Sequence, residues 1–328
     1  MPPLAANQLA IHFYDWLGFA ALVVVLLTLD LFVFHRHDHT PSLAESAWWT
    51  VFWIAVGLGF NAMVWWWGGH EAGVTFLSAY LIEKSLSMDN IFVFVVIFRF
   101  FNIPMMYQYR VLFWGILGAV LMRLVFILAG VGLIHMFDWV IPLFGLLLLY
   151  TAYKLARHSG AEVHPEKNVL LRTARRWFPV TAGDHRDHGH HFFARQAGKL
   201  CVTPMFLVLL VIESTDVIFA VDSVPAVIGI IPRDFSPAAT MFIAFTSNVF
   251  AILGLRALYF LLAGMVDVFR YLHYGLAAVL GFVGLKMLAT LWFEHELSPW
   301  VSLGIICALL GISMVVSIVA SRHGESVP

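Results

Sequence analysis

The chain has 328 residues, 61% of them hydrophobic and only 12% charged, with a mean hydropathy of +0.86. A soluble domain is about half apolar and a quarter charged, so this chain lacks the polar surface to be soluble and reads as an all-α polytopic membrane protein. A net charge of −1 offers no basic field to nucleic acid, and two cysteines without metal-ligand spacing, Cys201 and Cys307, suggest no disulfide framework.

The N-terminal stretch MPPLAANQLAIHFYDW contains no Lys or Arg. It therefore lacks the basic region of a cleaved signal peptide, and the first apolar run is expected to be retained. About 20 apolar residues cross a bilayer. Nine segments meet that length, near 14–34, 48–68, 74–98, 111–134, 138–156, 201–224, 237–262, 271–292 and 299–320. Lys and Arg concentrate in alternate gaps: Arg36, then Arg99 and Arg110, then the long 157–199 loop with the neighbouring Lys154, then Arg270 and Arg322. Arg233 is the one basic residue in the remaining gaps. This alternation predicts nine spans with the N-terminus outside and the C-terminus in the cytoplasm.

Ten ionisable residues fall inside the predicted spans. Asp30 ends the first; Glu83, Lys84 and Asp89 lie in the third within EKSLSMDNIFVF; Arg123 lies in the fourth. Glu213, Asp216 and Asp222 lie in the sixth within VIESTDVIFAVDSVPAV, Arg256 in the seventh and Lys286 in the eighth. An ionised side chain at a helix centre costs roughly 2.5–3.5 kcal/mol, so the four midplane acids Glu83, Asp89, Glu213 and Asp216 would cost on the order of 10 kcal/mol facing lipid. They are expected to face the bundle interior and to pair, take up protons or hold a cation. The ten groups sum to a formal −2, the charge that one divalent cation balances.

The two carboxylate segments resemble each other. With Asp216 placed on Asp89, SMDNIFVF lies over STDVIFAV. The next spans echo as ILGAVLMRLVFILAG and ILGLRALYFLLAG, and Lys154 falls over Lys286. Spans three to five and six to eight therefore read as one unit in two opposite orientations, the arrangement of many secondary transporters. On this reading the chain is a single transmembrane domain over 1–328, with repeat one near 74–156, a cytoplasmic loop near 157–199 and repeat two near 201–292. Ordinary helix composition is the plainer alternative.

Glu213 and Asp216, three apart, share a helix face, whereas Asp222 lies nearly opposite Glu213 on an ideal helix. Pro225 disfavours helix at the residue before it, so unwinding near 222–225 is expected to turn Asp222 inward and free backbone carbonyls. Ser87, Asn90, Ser214, Thr215 and Asn248 are the other candidate oxygen ligands. An oxygen-rich set suits Mg2+, Ca2+ or Mn2+ rather than Zn2+ or Cu+. Met88 is either a soft ligand favouring Mn2+ or simple packing. Crowded carboxylates can exchange a proton for a metal, which gives antiport a physical basis. A structural ion-pair network without a ligand is the bland alternative for the six acids. Arg123 and Arg256 are read as pairing with acids or snorkelling, and Asp30 as either an interfacial residue or a gate or ligand. The histidine-rich stretches 35–39 and 183–191 are mobile polar loops or transition-metal holders, and 169–180 reads as an interfacial amphipathic helix.

At EKSLSMDNIFVF and ESTDVIFAVDSVPAV the chain resembles the TerC family of bacterial integral membrane proteins, including its Alx-type members. The resemblance covers most of the chain and extends to the long loop between the motif-bearing halves. It implies membership of the wider LysE-like transporter group and divalent metal transport, chiefly manganese efflux. It also implies association with tellurite resistance operons and with metal supply to exported enzymes. The family's acidic motif residues match Glu83, Asp89, Glu213, Asp216 and Asp222.

The resulting expectation is a secondary transporter of the bacterial inner membrane that exports Mn2+ by proton antiport and is not an enzyme. Its partners are the lipid bilayer, the divalent ion as cargo and protons, with no bound cofactor and no protein partner identified. Its proposed site comprises Glu83, Asp89, Asn90, Glu213, Asp216 and Asp222, with Asp30, Ser87, Thr215 and Asn248 as secondary members. The chain lacks GxxxxGK[ST], HExxH and GxGD, although paired carboxylates could in principle do acid–base work. The alternative is a membrane partner protein that hands metal to exported proteins or anchors a metal or tellurite stress complex.

Overall fold

The computed structural model describes residues 9–32, 41–157, 171–173, 191–196, 199–263, 272–291 and 297–323. The fold is all-α apart from one small hairpin. The helices are α1 (Phe13–Phe32), α2 (Leu43–Phe100), α3 (Met105–Met136), α4 (Val140–Arg157), α5 (Pro204–Ile230), α6 (Pro237–Leu253), α7 (Leu255–Ala263), α8 (Leu272–Ala289) and α9 (Pro299–His323). Among the described residues α1, α3, α4, α5, α8 and α9 are each long and apolar enough to cross a membrane, and α6 with α7, bent by 42°, makes a seventh such unit. The chain is thus an all-α polytopic membrane protein.

The 58 residues of α2 would make a straight helix about 87 Å long, against a hydrocarbon core of about 30 Å. The helix instead breaks at Gly69, whose φ of 82° and ψ of −178° belong to a region open essentially to glycine alone. Residues at similar distances on either side of this break touch. The Phe60 and Phe76 rings are 5.5 Å apart, where a straight helix would hold them about 24 Å apart. A Cβ on Gly57 would lie 2.9 Å from the Tyr80 ring, and one on Gly73 would lie 2.6 Å from the Trp65 ring. So α2 doubles back as two antiparallel arms, which carry the segments read as spans two and three. Its start is capped by Ser42, whose hydroxyl accepts from the Glu45 backbone N–H at 3.2 Å, as SLAE suggests.

Three expectations change. The segment read as the start of span six is the end of an antiparallel hairpin, β1 (Phe193–Gln196) with β2 (Lys199–Val202), and the helix begins at Pro204. Next, α5 continues through Pro225 without unwinding. Close packing of Ser223, Val224, Ala226 and Val227 on both sides of the proline outweighs the local preference, as happens in membrane helices whose neighbours support the backbone. Finally, the segment read as span seven is broken at Gly254, between α6 and α7. Of the 169–180 patch only 171–173 are described, and they are helical. The stretch 35–39 lies outside the described residues, as does 183–191 apart from His191.

The central helices are the second arm of α2, with α3, α5 and α6 around it. There α2 packs on α5, α6 and α7, α3 packs on α5 and α6, and α4 makes its largest interface with α8. In that interface Gly145 and Gly284 meet closely enough that a Cβ on either would approach the other's carbonyl oxygen, at 3.0 and 2.9 Å. Small residues permit such close backbone approach in membrane helix pairs. Outward faces are apolar: Trp48, Trp66, Trp139 and Trp300 are exposed near helix ends, as in the aromatic belts of membrane proteins.

Candidate functional site

The second arm of α2 carries Glu83, Ser87 and Asn90, spaced by four and three residues, which places them on one face. On α5, Asp216 and Ser223 are seven apart and also share a face. Between these faces α3 inserts Arg123. Its guanidinium is paired with Glu83, donates to the Ser223 hydroxyl at 2.8 Å and lies 3.9 Å from Asp216. Glu83 and Arg123 are 0% and 1% exposed, and Asn90, Asp216, Ser87 and Ser223 are also buried. A buried pair of this kind is held by geometry, since desolvation offsets much of its attraction.

Several polar atoms around this pair lack a hydrogen-bond partner among the described residues: Glu83 Oε2, Asp216 Oδ2, Ser87 Oγ and Arg123 Nε. Asn248 on α6, 0% exposed, has both side-chain polar atoms unpartnered. Each such atom costs about 1–3 kcal/mol, and a cluster of them in one place calls for a functional explanation.

Arg123 and Asn90 line two small cavities. One, of about 10 Å3, is also lined by Ser87, Gly115, Ala119 and Asp216; it has room for one water molecule at most. The other, about 90 Å3, lies toward α4 and α8 and is lined by Asp89, Thr151, Asp222 and Ser223. Asp222 accepts a hydrogen bond from Thr151 at 2.8 Å, and Lys154 on α4 is within electrostatic range of it.

The residues singled out in the sequence thus divide. Glu83, Ser87, Asn90 and Asp216 meet at Arg123, and Asp89 and Asp222 share the neighbouring cavity, Asp222 without any unwinding of α5. Glu213 is half-buried and packs its carboxylate against α3 at Gly118, where a Cβ would overlap it. Thr215 bonds back to its own helix, to the Val211 and Ile212 carbonyls at 3.0 and 2.8 Å. Asp30 stands apart: it pairs with Arg256, whose guanidinium lies 4.2 Å from the Tyr109 ring centroid. Lys84 donates to the Ala251 carbonyl at 3.2 Å and Lys286 to that of Ile230 at 3.1 Å. Neither arginine snorkels. Among the described residues, no three of His, Cys, Asp and Glu converge closely enough to hold a metal ion while the side chains stand this way.

The sequence reading missed Ser223 and Thr151 and gave Arg123 no central place. The seven-residue spacing from Asp216 to Ser223 was a usable signal; the approach of α4 to α5 that brings Thr151 was not.

Over residues 68–325 the chain matches the model of the integral membrane protein TerC family. The chain belongs to the TerC family. An uncharacterised membrane protein of Myxococcus xanthus is 48% identical over 95% of this chain and 94% of its own length. Alx of Escherichia coli K12, named as a candidate membrane-bound redox modulator, is 40% identical over 94% of this chain and 96% of its own. An uncharacterised membrane protein of Rickettsia bellii is 35% identical over 93% and 97%. No solved structure matches. Family membership and the described helices together make this TerC protein an integral membrane protein with several spans.

Proposed function

We propose that this TerC protein is a secondary transporter that exports a divalent metal, foremost Mn2+, from the cytoplasm across the bacterial inner membrane, with protons returning through the same carboxylates. The observation that carries this reading is the imbalance at the centre. Four carboxyl groups of α2 and α5, those of Glu83, Asp89, Asp216 and Asp222, contact one buried guanidinium or share a cavity with it, and a fifth, that of Glu213, lies on the same helix face as Asp216. The sequence count of −2 understates this, because Lys84 and Lys286 are directed to backbone carbonyls of Ala251 and Ile230 rather than to these acids. A divalent cation and protons are what such a site can bind. Arg123 apart, the polar groups lining the two cavities, carboxylates with Ser87, Asn90, Thr151 and Ser223, offer oxygen ligands, which suits Mn2+, Mg2+ or Ca2+.

An inverted repeat suits the same reading, in a register different from the one the motifs suggested. The same number of residues separates Glu83 from Asp216, Asp89 from Asp222, Asn90 from Ser223 and Arg123 from Arg256. In that register the first two acids both meet Arg123 and the second two share one cavity. Helix packing supports it as well. Exchanging the second arm of α2 with α5, α3 with α6–α7 and α4 with α8 maps the main interfaces onto one another. The single transmembrane domain would comprise nine crossings, with repeat units near 74–156 and 201–292 rocking about the carboxylates.

Transport rather than catalysis is the use we assign to these acids. Neither cysteine lines the two cavities at Arg123: Cys201 lies in β2 and Cys307 on the outward face of α9.

The test is flux in proteoliposomes with Mn2+, Mg2+ and Ca2+ outside and a pH dye inside. Mn2+ movement with opposite proton movement, abolished in Asp89→Asn with Asp216→Asn, is the expected result. No flux of any of the three ions across a range of pH gradients would overturn the reading and leave the metal-handover role.

A further inference from the structure

We infer that Arg123 is a tethered competitor of the transported cation: its guanidinium and the metal ion take the same ground beside Glu83 and Asp216 in alternation. This rests on the carboxylate reading above. The structure is then the arginine-held state of the cycle.

Three observations converge on it. First, Arg123 sits where a cation would sit, against Glu83 and Ser223 and near Asp216, at 1% exposure. Second, the carboxylates are only half used: Glu83 Oε2 and Asp216 Oδ2 have no hydrogen-bond partner among the described residues, yet the acids there do not converge into a metal cage. A guanidinium keeps carboxylates apart across its width, whereas a metal ion draws oxygens to about 2.0–2.6 Å. Third, Arg123 has somewhere to go. It already lines the larger cavity that holds Asp89 and Asp222, so a short swing exchanges one pair of acids for the other. Arg256, its counterpart in the repeat register, is held by Asp30 and packed against Tyr109.

The tether solves a physical problem of transport. A cluster of carboxylates that binds Mn2+ tightly would not release it. A cation fixed to the protein lowers affinity by the fraction of time it occupies the site, and its return helps expel the ion. It also keeps the emptied site from carrying uncompensated charge through the membrane interior.

Equilibrium Mn2+ binding to the purified full-length protein in nanodiscs tests this. Glu83→Gln and Asp216→Asn should weaken binding. Arg123→Gln should tighten it, by about tenfold if the guanidinium holds the site nine-tenths of the time, while slowing Mn2+ flux in liposomes. In Arg123→Ala, free guanidinium ion should compete with Mn2+, as it should not in the unaltered protein. A merely structural arginine would give weaker binding on removal and no competition. Should neither variant fold, infrared difference spectra of the unaltered protein carrying isotope-labelled arginine supply the readout: Mn2+ must shift a guanidinium stretching band. Unchanged or weaker binding in folded Arg123→Gln, or no band shift, overturns the inference. Absence of saturable Mn2+ binding, or binding indifferent to Glu83→Gln and Asp216→Asn, instead overturns the carboxylate reading itself.

Discussion

Glu213 shows how much a single buried carboxylate depends on its neighbour. Its side chain lies against α3 at Gly118, with no room for a Cβ there. Gly118→Ala should therefore push the Glu213 carboxylate aside, and because this is the far end of a flexible side chain the cost should fall at the low end of overpacking, about 1 kcal/mol. Glu213→Ala opens the space, so the double variant should regain most of that loss. Thermal unfolding of the four proteins of this cycle in detergent checks it; additive losses would mean that the two residues do not touch. The acids themselves were legible in the sequence, because a charge in a greasy helix declares itself by its cost. Their partners were not. Arg123 and Arg256 are alike in sequence, each near the middle of an apolar run, yet one meets Glu83 and Asp216 at the centre and the other is held by Asp30 on α1. Which acid an arginine meets depends on how helices distant in sequence pack, and spacing along one helix carries none of that information.

Among the helices, length and polarity were readable while breaks were not read correctly. The exception is the turn between the spans read at 48–68 and 74–98, which an apolar run too long for one crossing required and which α2 makes at Gly69. At Pro225 the local rule predicted a break that packing suppresses, and at Gly254 a break appears where only a continuous apolar run was seen. Neighbouring helices decide such cases. The same dependence makes the α4–α8 interface a sensitive point. A Cβ on Gly284 would stand 2.9 Å from the Gly145 carbonyl oxygen, a backbone atom that cannot swing away as a side chain can. Gly284→Val should force the two helices apart and lower stability by about 1–3 kcal/mol. Gly304 on α9 has open space around it, so Gly304→Val is the matched control and should unfold near the parent temperature. Equal behaviour of the two variants in a thermal scan would show that the glycine contact does not hold α4 to α8.

At the scale of the whole molecule, the direction of the proposed transport depends on which way the bundle stands in the membrane. Basic residues bear on this through where they are absent as well as where they occur. The turn at Gly69 and the α3–α4 connection at Phe137–Trp139 carry no Lys or Arg, whereas the α2–α3 connection is flanked by Arg99 and Arg110. Because Lys and Arg are retained on the cytoplasmic side, we propose that the first two turns lie outside and the third inside. His70, Asp138 and Asn102 are exposed at these three places and can each report on them. In a background of Cys201→Ser with Cys307→Ser, the variants His70→Cys and Asp138→Cys should react with a membrane-impermeant maleimide in intact cells. Asn102→Cys should react only after the membrane is opened. The reverse pattern would turn the bundle over, and the cavity lined by His135, Asp138 and Arg233 would then face the cytoplasm. Mixed labelling of all three in intact cells would mean that the turns do not lie on the faces assigned to them, and the nine-crossing arrangement would fall with the orientation.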